Sequence, residues 1–294
     1  MTIKQHRAHF NKSLKHLYPT SEIDSFFFLI LEEYMGLKRI DIVLKSDFLI
    51  DKKSLNLMQI ATKQLEQEIP IQYIIGKTEF FGLPFHVNKE VLIPRPETEE
   101  LVEQVLKKVS LIKTCNSSKN ETIKEKQLKV LDIGTGSGCI AISLKKQLPS
   151  SEVSALDVSN KALRVAKKNA FLNNVDINFV HQDILKTNDL DKLYDVIISN
   201  PPYVRELEKK EIKNNVLNNE PHLALFVDNK NPLLFYNKIA ELAKKFLIKN
   251  GQLHFEINQY LGKETIKLLA EKGFKNIQLK KDIFGNDRII TAFK

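Results

Sequence analysis

The chain has 294 residues, 43% of them hydrophobic, with a net charge of +9, which is enough for one large domain or two unequal ones. No apolar run nears the roughly twenty residues of a membrane span; the longest, Phe26–Leu31, is flanked by charges, and Met1–Phe10 has no apolar signal core, so a cytoplasmic protein without membrane attachment is expected. Cys115 and Cys139 cannot make a disulfide framework, and the scattered lysines favour solvated faces over a nucleic-acid patch.

Residues 1–75 read as helical. Ser21 is expected to cap a helix through Phe26, Phe27, Ile30, Leu31 and Tyr34 that ends near Gly36. Ser54 is expected to cap another through Leu55, Met58, Ala61 and Leu65, stopping before Pro70. The seven histidines have no zinc-like spacing, and His6 and His9 read as a solvated helix face. Thr78–Val87, aromatic and β-branched around Gly82 and Pro84, predicts a hairpin between two domains. Ile93-Pro94-Arg95-Pro96-Glu97-Thr98-Glu99 then opens a helix through Leu101, Val102 and Val105, with acids in its first turn and Arg95 fixed between prolines. Lys113–Gln127 has little apolar content and reads as an exposed loop.

From Leu128 strands and helices alternate, the pattern of a parallel sheet. Strands are expected at 129–133, 152–156, 177–180, 194–198, 252–257, 274–279 and 289–293. Asn231 and Pro232 are expected to start a helix ended by Gly251, and Lys263–Lys272 reads as another.

The first strand runs into Gly134-Thr135-Gly136-Ser137-Gly138 before a helix. Such a turn lets backbone pass close to a ligand, but dehydrogenases, flavoenzymes and methyltransferases all use one. Asp157, ending the second strand, is placed to accept ribose hydroxyls. Asp183, ending the third, can accept from an adenine amino group, with Ile184 beside it. The fourth strand ends in Asn200-Pro201-Pro202-Tyr203. Two prolines stop a strand and contribute no N–H, and a residue before proline is held extended. The corner therefore presents an amide, unengaged carbonyls and a ring where open α/β sheets bind ligands. With no hydride acceptor or phosphate lysine in view, an adenosine site beside an amide corner suggests methyl transfer to an sp² nitrogen from S-adenosylmethionine.

Gly134–Gly138 and Asn200–Tyr203 resemble the cofactor and substrate motifs of class I amino-methyltransferases. Together with Ile93–Glu99, Gln72–Gly76, Glu79–Gly82, Glu220-Pro221, Ala224-Leu225 and Glu256-Ile257, they resemble the peptide chain release factor glutamine methyltransferases over essentially the whole chain. The resemblance implies an α/β fold: a Rossmann-like, mostly parallel seven-stranded sheet with a small N-terminal helical bundle joined by a β-hairpin. Its implied domains are a substrate-recognition bundle (1–75), a hairpin linker (76–93) and an S-adenosylmethionine-binding catalytic domain (94–294). The implied substrate is the glutamine of a Gly-Gly-Gln loop in a release factor, handled by a cytoplasmic monomer without nucleic acid. Asn200 Oδ1 and the Pro201 carbonyl would accept both amide hydrogens, Pro202 would stiffen the corner and Tyr203 would pack on the flat amide. Gly134, Thr135, Gly136, Ser137, Gly138, Asp157, Asp183, Ile184 and Asn200 would hold the cofactor, with Arg95 and Thr98 on its side. Ile184, Asn258 and Asp228–Asn231 depart from the family pattern. A nucleic-acid adenine methyltransferase can use the same corner, but residues 1–75 lack the aromatic and basic interleaving of a nucleic-acid domain. A non-catalytic cofactor-binding module is disfavoured by the intact Asn200.

Overall fold

A computed structural model describes residues 1–44, 47–116 and 127–294. The chain divides into two compact units, Met1–Gly76 with Lys213–Asn219, and Lys77–Ile212 with Glu220–Lys294. Among the described residues no helix is long and apolar enough to cross a membrane.

The first unit is helical: α1 (Ile3–Leu14), α2 (Thr20–Met35), α3 (Arg39–Leu44), α4 (Lys52–Glu66) and α5 (Ile71–Ile75). Phe10, Phe27, Ile30, Leu31, Met58 and Leu65 close its core. Gly36, at φ +65°, ends α2 as expected. The caps differ from the sequence reading. Pro19, with no side-chain bond, precedes α2, so Ser21 lies inside the helix. Asp51 accepts from the Ser54 N–H and caps α4, freeing the Ser54 hydroxyl to donate to the Tyr34 carbonyl at 3.2 Å.

His6 corrects the expected solvated face. It is fully buried, with neither ring nitrogen hydrogen-bonded, and its ring lies 6.0 Å from Phe27 and 6.4 Å from Phe10. Burial, with a smaller contribution from His9, pushes its pKa down to about 4. The unfolded chain then binds this proton more readily than the folded one, so stability is full above the ordinary value of 6.5 and falls as pH drops toward 4. At about 1.4 kcal/mol per pH unit, the loss approaches about 3 kcal/mol. Urea unfolding of wild type and His6→Leu at pH 7.5 and 4.5 checks this: the acid loss of the variant is expected to be smaller by that amount, and equal losses would exclude His6 as the cause.

The second unit begins with hairpin β1 (Lys77–Phe80) and β2 (Leu83–His86), turned by Phe81 and Gly82 at φ +52° and +70°. Such positive angles suit a two-residue hairpin turn. The hairpin belongs to this unit rather than standing apart as a linker: Phe80 and Phe85 join its core. The expected loop at 113–127 is helical through Asn116, the end of α6 (Pro96–Asn116); residues 117–126 lie outside the described residues.

The seven-stranded sheet follows. Its elements are β3 (Lys129–Ile133), α7 (Cys139–Gln147), β4 (Glu152–Asp157), α8 (Asn160–Leu172), β5 (Asn178–His181) and β6 (Tyr194–Ser199). A short parallel pair, β7 (Val204–Arg205) and β8 (Phe226–Val227), brackets α9 (Asn214–Asn219) and α10 (His222–Leu225). Then come α11 (Leu234–Phe246), β9 (Leu247–Glu256), α12 (Gly262–Glu271), β10 (Lys275–Lys281) and β11 (Asp287–Phe293). The strand order is β10-β11-β9-β6-β3-β4-β5, parallel except where β11 runs against both neighbours. Side chains alternate between two cores: Val130, Val196 and Ile198 join α6, α7 and α8, while Leu131 and Ile197 join α11 and α12. That double burial explains the unbroken apolar strands.

Two boundaries differ. The α11 helix starts at Leu234, after the Asn231–Leu233 turn. Gly251 does not end it; extended chain begins at Leu247, and Lys249–Gly251 bulges as pairing jumps from Tyr194–Leu247 to Val196–Gln252. Register aligns Ile133 with Leu156 and Ser199, so the carboxyl ends of β3, β4 and β6 deliver Gly134, Asp157 and Asn200 side by side.

Candidate active site

A cavity of about 480 Å³ opens at these strand ends, within the second unit. The chain moves outward through β3, β4 and β5, then crosses back to β6, which makes this the switch point of the sheet.

The glycine turn forms the cavity floor. Gly134 and Thr135 donate their N–H groups to the Leu156 carbonyl at 2.8 and 3.0 Å, and Gly136 donates to Asp157 Oδ2 at 2.8 Å. Gly134 and Gly136 sit at φ +76° and +55°, with open space where a Cβ would stand, so a ligand can approach the backbone. Gly138 has a different task. At φ +83° it precedes α7, and a Cβ would come within 2.9 Å of Ile142 and 3.1 Å of Ala166. The early third glycine is therefore set by helix packing. Asn169 on α8 joins this turn to the hairpin: its Nδ2 donates to the Ser137 and His86 carbonyls, and its Oδ1 accepts from the His86 N–H.

Two acids lie under and beside the turn. Asp157 is buried and lines the cavity; its oxygens accept from the Gly136 and Ser159 N–H groups, and burial raises its pKa against those bonds. Each oxygen keeps a further lone pair for a ligand. Asp132 lies wholly buried beneath, accepting from the Thr135 hydroxyl at 2.6 Å, with Oδ1 bonded to no protein group. Burial, opposed by Thr135 and helped by Asp157, pushes it up to about 7. Further along the wall, Asp183 accepts from the Leu185 N–H and pairs with Lys186; these outweigh burial and lower its pKa. Ile184 is buried beside it.

Arg95, Thr98, Asn200, Pro201 and Pro202 also line the cavity. The Arg95 guanidinium donates at 2.5 Å to Glu220, whose buried carboxylate also accepts from the Ile93 N–H. Thr98 donates its single hydroxyl hydrogen to Glu256 Oε2 at 2.7 Å, so it can only accept from Asn200 Nδ2, 3.3 Å away. That fixes the Asn200 amide and leaves Oδ1 as its acceptor for a ligand.

Tyr203 departs from the expected stacking position. It packs with the core under α11, and its hydroxyl donates to Glu256 Oε1 at 3.0 Å. Tyr203 and Gly138 are the site candidates absent from the cavity wall. Glu256, fully enclosed, has its pKa raised by burial, with Thr98 and Tyr203 opposing. Sequence reasoning gave Glu256, Glu220 and Asn169 no task. An acid within the apolar run Leu253–Ile257 was the available signal for the first.

The chain resembles known proteins over nearly its whole length. The Methyltransferase small domain family matches residues 120–224, and the PrmC N-terminal domain matches residues 6–76. The chain is 56% identical over 292 residues to a release factor glutamine methyltransferase of Flavobacterium psychrophilum, covering 99% of both chains. It is 41% identical over 286 residues to that of Bacteroides thetaiotaomicron, covering 97% of this chain and 98% of the other. In fold it is similar to a T. thermophilus 16S rRNA methyltransferase solved with AdoMet and guanosine (TM-score 0.51, 19% identity, 74% of this chain and 49% of that one).

Proposed function

The chain belongs to the release factor glutamine methyltransferase family, and we propose that its Asn200 corner holds the loop glutamine of a release factor for methylation on the side-chain nitrogen. It is an S-adenosylmethionine-dependent protein-glutamine methyltransferase. The cavity fits that cofactor: open space at Gly134 and Gly136 of the turn, a buried carboxylate in Asp157 for the ribose, and Asp183 with Ile184 for the adenine. When bound, S-adenosylmethionine supplies a methyl carbon on a positively charged sulfur.

The chain's own residues meet the remaining difficulty, the weak nucleophilicity of a carboxamide nitrogen whose lone pair is delocalised. Asn200 Oδ1 and the Pro201 carbonyl accept its two hydrogens, which orients the nitrogen and draws electron density onto it. Fixing this geometry in advance supplies much of the rate. Acceptors already in place also stabilise the positive charge that grows on nitrogen. The methylated, protonated amide is strongly acidic and releases its proton to water, so no residue need act as base. Thr98 and Glu256 hold Asn200 and are positioning residues.

In this reading the partner is a release factor, recognised in part through the N-terminal unit; the enzyme is a cytoplasmic monomer, and the reaction needs no nucleic acid. The observation carrying it is the Glu256–Thr98–Asn200 chain, which presents an amide acceptor beside an adenosine-sized cavity. Incubation with labelled S-adenosylmethionine tests it. Label is expected on a release factor and not on the same factor with its loop glutamine replaced; label on DNA or RNA instead would transfer the reading to an adenine methyltransferase.

A further inference from the structure

We propose that Asn258 is a positioning residue for the Asn200–Tyr203 corner, acting on it from behind; this rests on the functional reading above. Pro201 and Pro202 have no N–H, so two of the corner's four residues contribute no backbone donor to fasten it. The pair β7–β8 that follows is two residues long. Thr98 fastens the Asn200 end, and the residues after β9 fasten the Tyr203 end. That strand lies beside β6, with Phe255 opposite Ser199, so the residues after it pass the corner.

Asn258 is 4% exposed. Its Nδ2 donates one hydrogen to the Tyr203 carbonyl and the other to Glu208 Oε2, both at 2.9 Å, while its Oδ1 accepts from the Tyr260 N–H at 2.9 Å. Both donor hydrogens are used, and the amide orientation is fixed from three sides. Glu208 is held in turn by Arg205, through its backbone N–H and a two-pronged guanidinium contact. With Glu256 on its hydroxyl and Asn258 on its carbonyl, Tyr203 is pinned at both ends by residues two apart in sequence. The Pro201 carbonyl, one of the two acceptors assigned to the substrate amide, lies two residues before that pin. A sub-ångström drift there moves the nucleophile off line, which costs rate rather than cofactor affinity.

Asn258→Asp is the sharpest test. It keeps size and the acceptor for Tyr260 but turns an oxygen toward the Tyr203 carbonyl and Glu208. Expected are a fall in kcat of about 50-fold, with KM for the release factor and Kd for S-adenosylhomocysteine within about threefold, and faster amide exchange over residues 203–208. Asn258→Ala, which buries no charge, is expected to lower kcat about tenfold. Adding Glu208→Gln to Asn258→Asp removes the charge repulsion but gives the Tyr203 carbonyl no donor, so kcat is expected to stay low. Unchanged kcat in both single variants, full recovery in the double variant, or a loss that only follows the unfolded fraction would each overturn the proposal. A wild-type enzyme inactive on release factors would sink the functional reading alone, and amide exchange over 203–208 in Asn258→Ala would still decide the clamp: faster exchange sustains it, unchanged exchange removes it.

Discussion

Asn200→Ala is expected to lower methyl transfer by about a thousandfold or more while leaving the Kd for S-adenosylhomocysteine within about threefold. Loss of a single preset polar group at a reacting centre typically costs a hundred- to a thousandfold, and Asn200 also contributes to orientation. Its side chain bonds Thr98, while Asp157 is held by the Gly136 and Ser159 N–H groups, so truncation leaves the hydrogen bonds of the proposed ribose site intact. Asn200→Asp separates the two contributions. It retains an acceptor but loses the hydrogen given to Thr98, whose own hydrogen is committed to Glu256. An intermediate rate is expected. Single-turnover assay with a release factor measures both variants, and calorimetry with S-adenosylhomocysteine provides the control. Wild-type turnover by Asn200→Ala would remove the corner from the mechanism.

Asp157→Ala is expected to act on the other half of the site, weakening S-adenosylhomocysteine by about a hundredfold. The carboxylate accepts from Gly136 and Ser159 and lines the cavity, so its removal unties the turn and takes away the acceptor proposed for the ribose. Hydrogen bonds to a charged group contribute roughly 1.5–3 kcal/mol each, and about 1.4 kcal/mol is a factor of ten in affinity. Asp157→Asn keeps one acceptor and is expected to lose about tenfold. Calorimetric affinities that change less than threefold in both variants would place the ribose elsewhere.

The features legible in the sequence were those whose chemistry is local. A glycine turn between strand and helix, an acid ending the next strand, and a proline corner ending another each announce themselves within a few residues, and they converge on one cavity. What escaped depends on partners distant in sequence. Thr98 meets Glu256 across 158 residues, and Asn258 meets Tyr203 across 55. No window of the chain contains both members of either pair. His6 was closer to reach: Ile3, His6, Phe10 and Leu14 form one buried helical stripe, and the spacing alone placed the imidazole inside. Its polarity carried the reading outward instead. Gly251 misled for a related reason, since a glycine after a helical pattern reads as a stop although a bulge uses the same residue.

The short stretch Lys213–Asn219 belongs with residues 1–76, and the Asn219 side chain donates to the Glu68 carbonyl. A ribosome releases this chain from its amino end, and domains commonly fold as they emerge. Here the first unit must wait until residue 219 has been made before its last piece arrives. A fragment ending at residue 76 would therefore lack the last piece of the bundle, and the complete bundle exists only after the Asn200 corner has also been made.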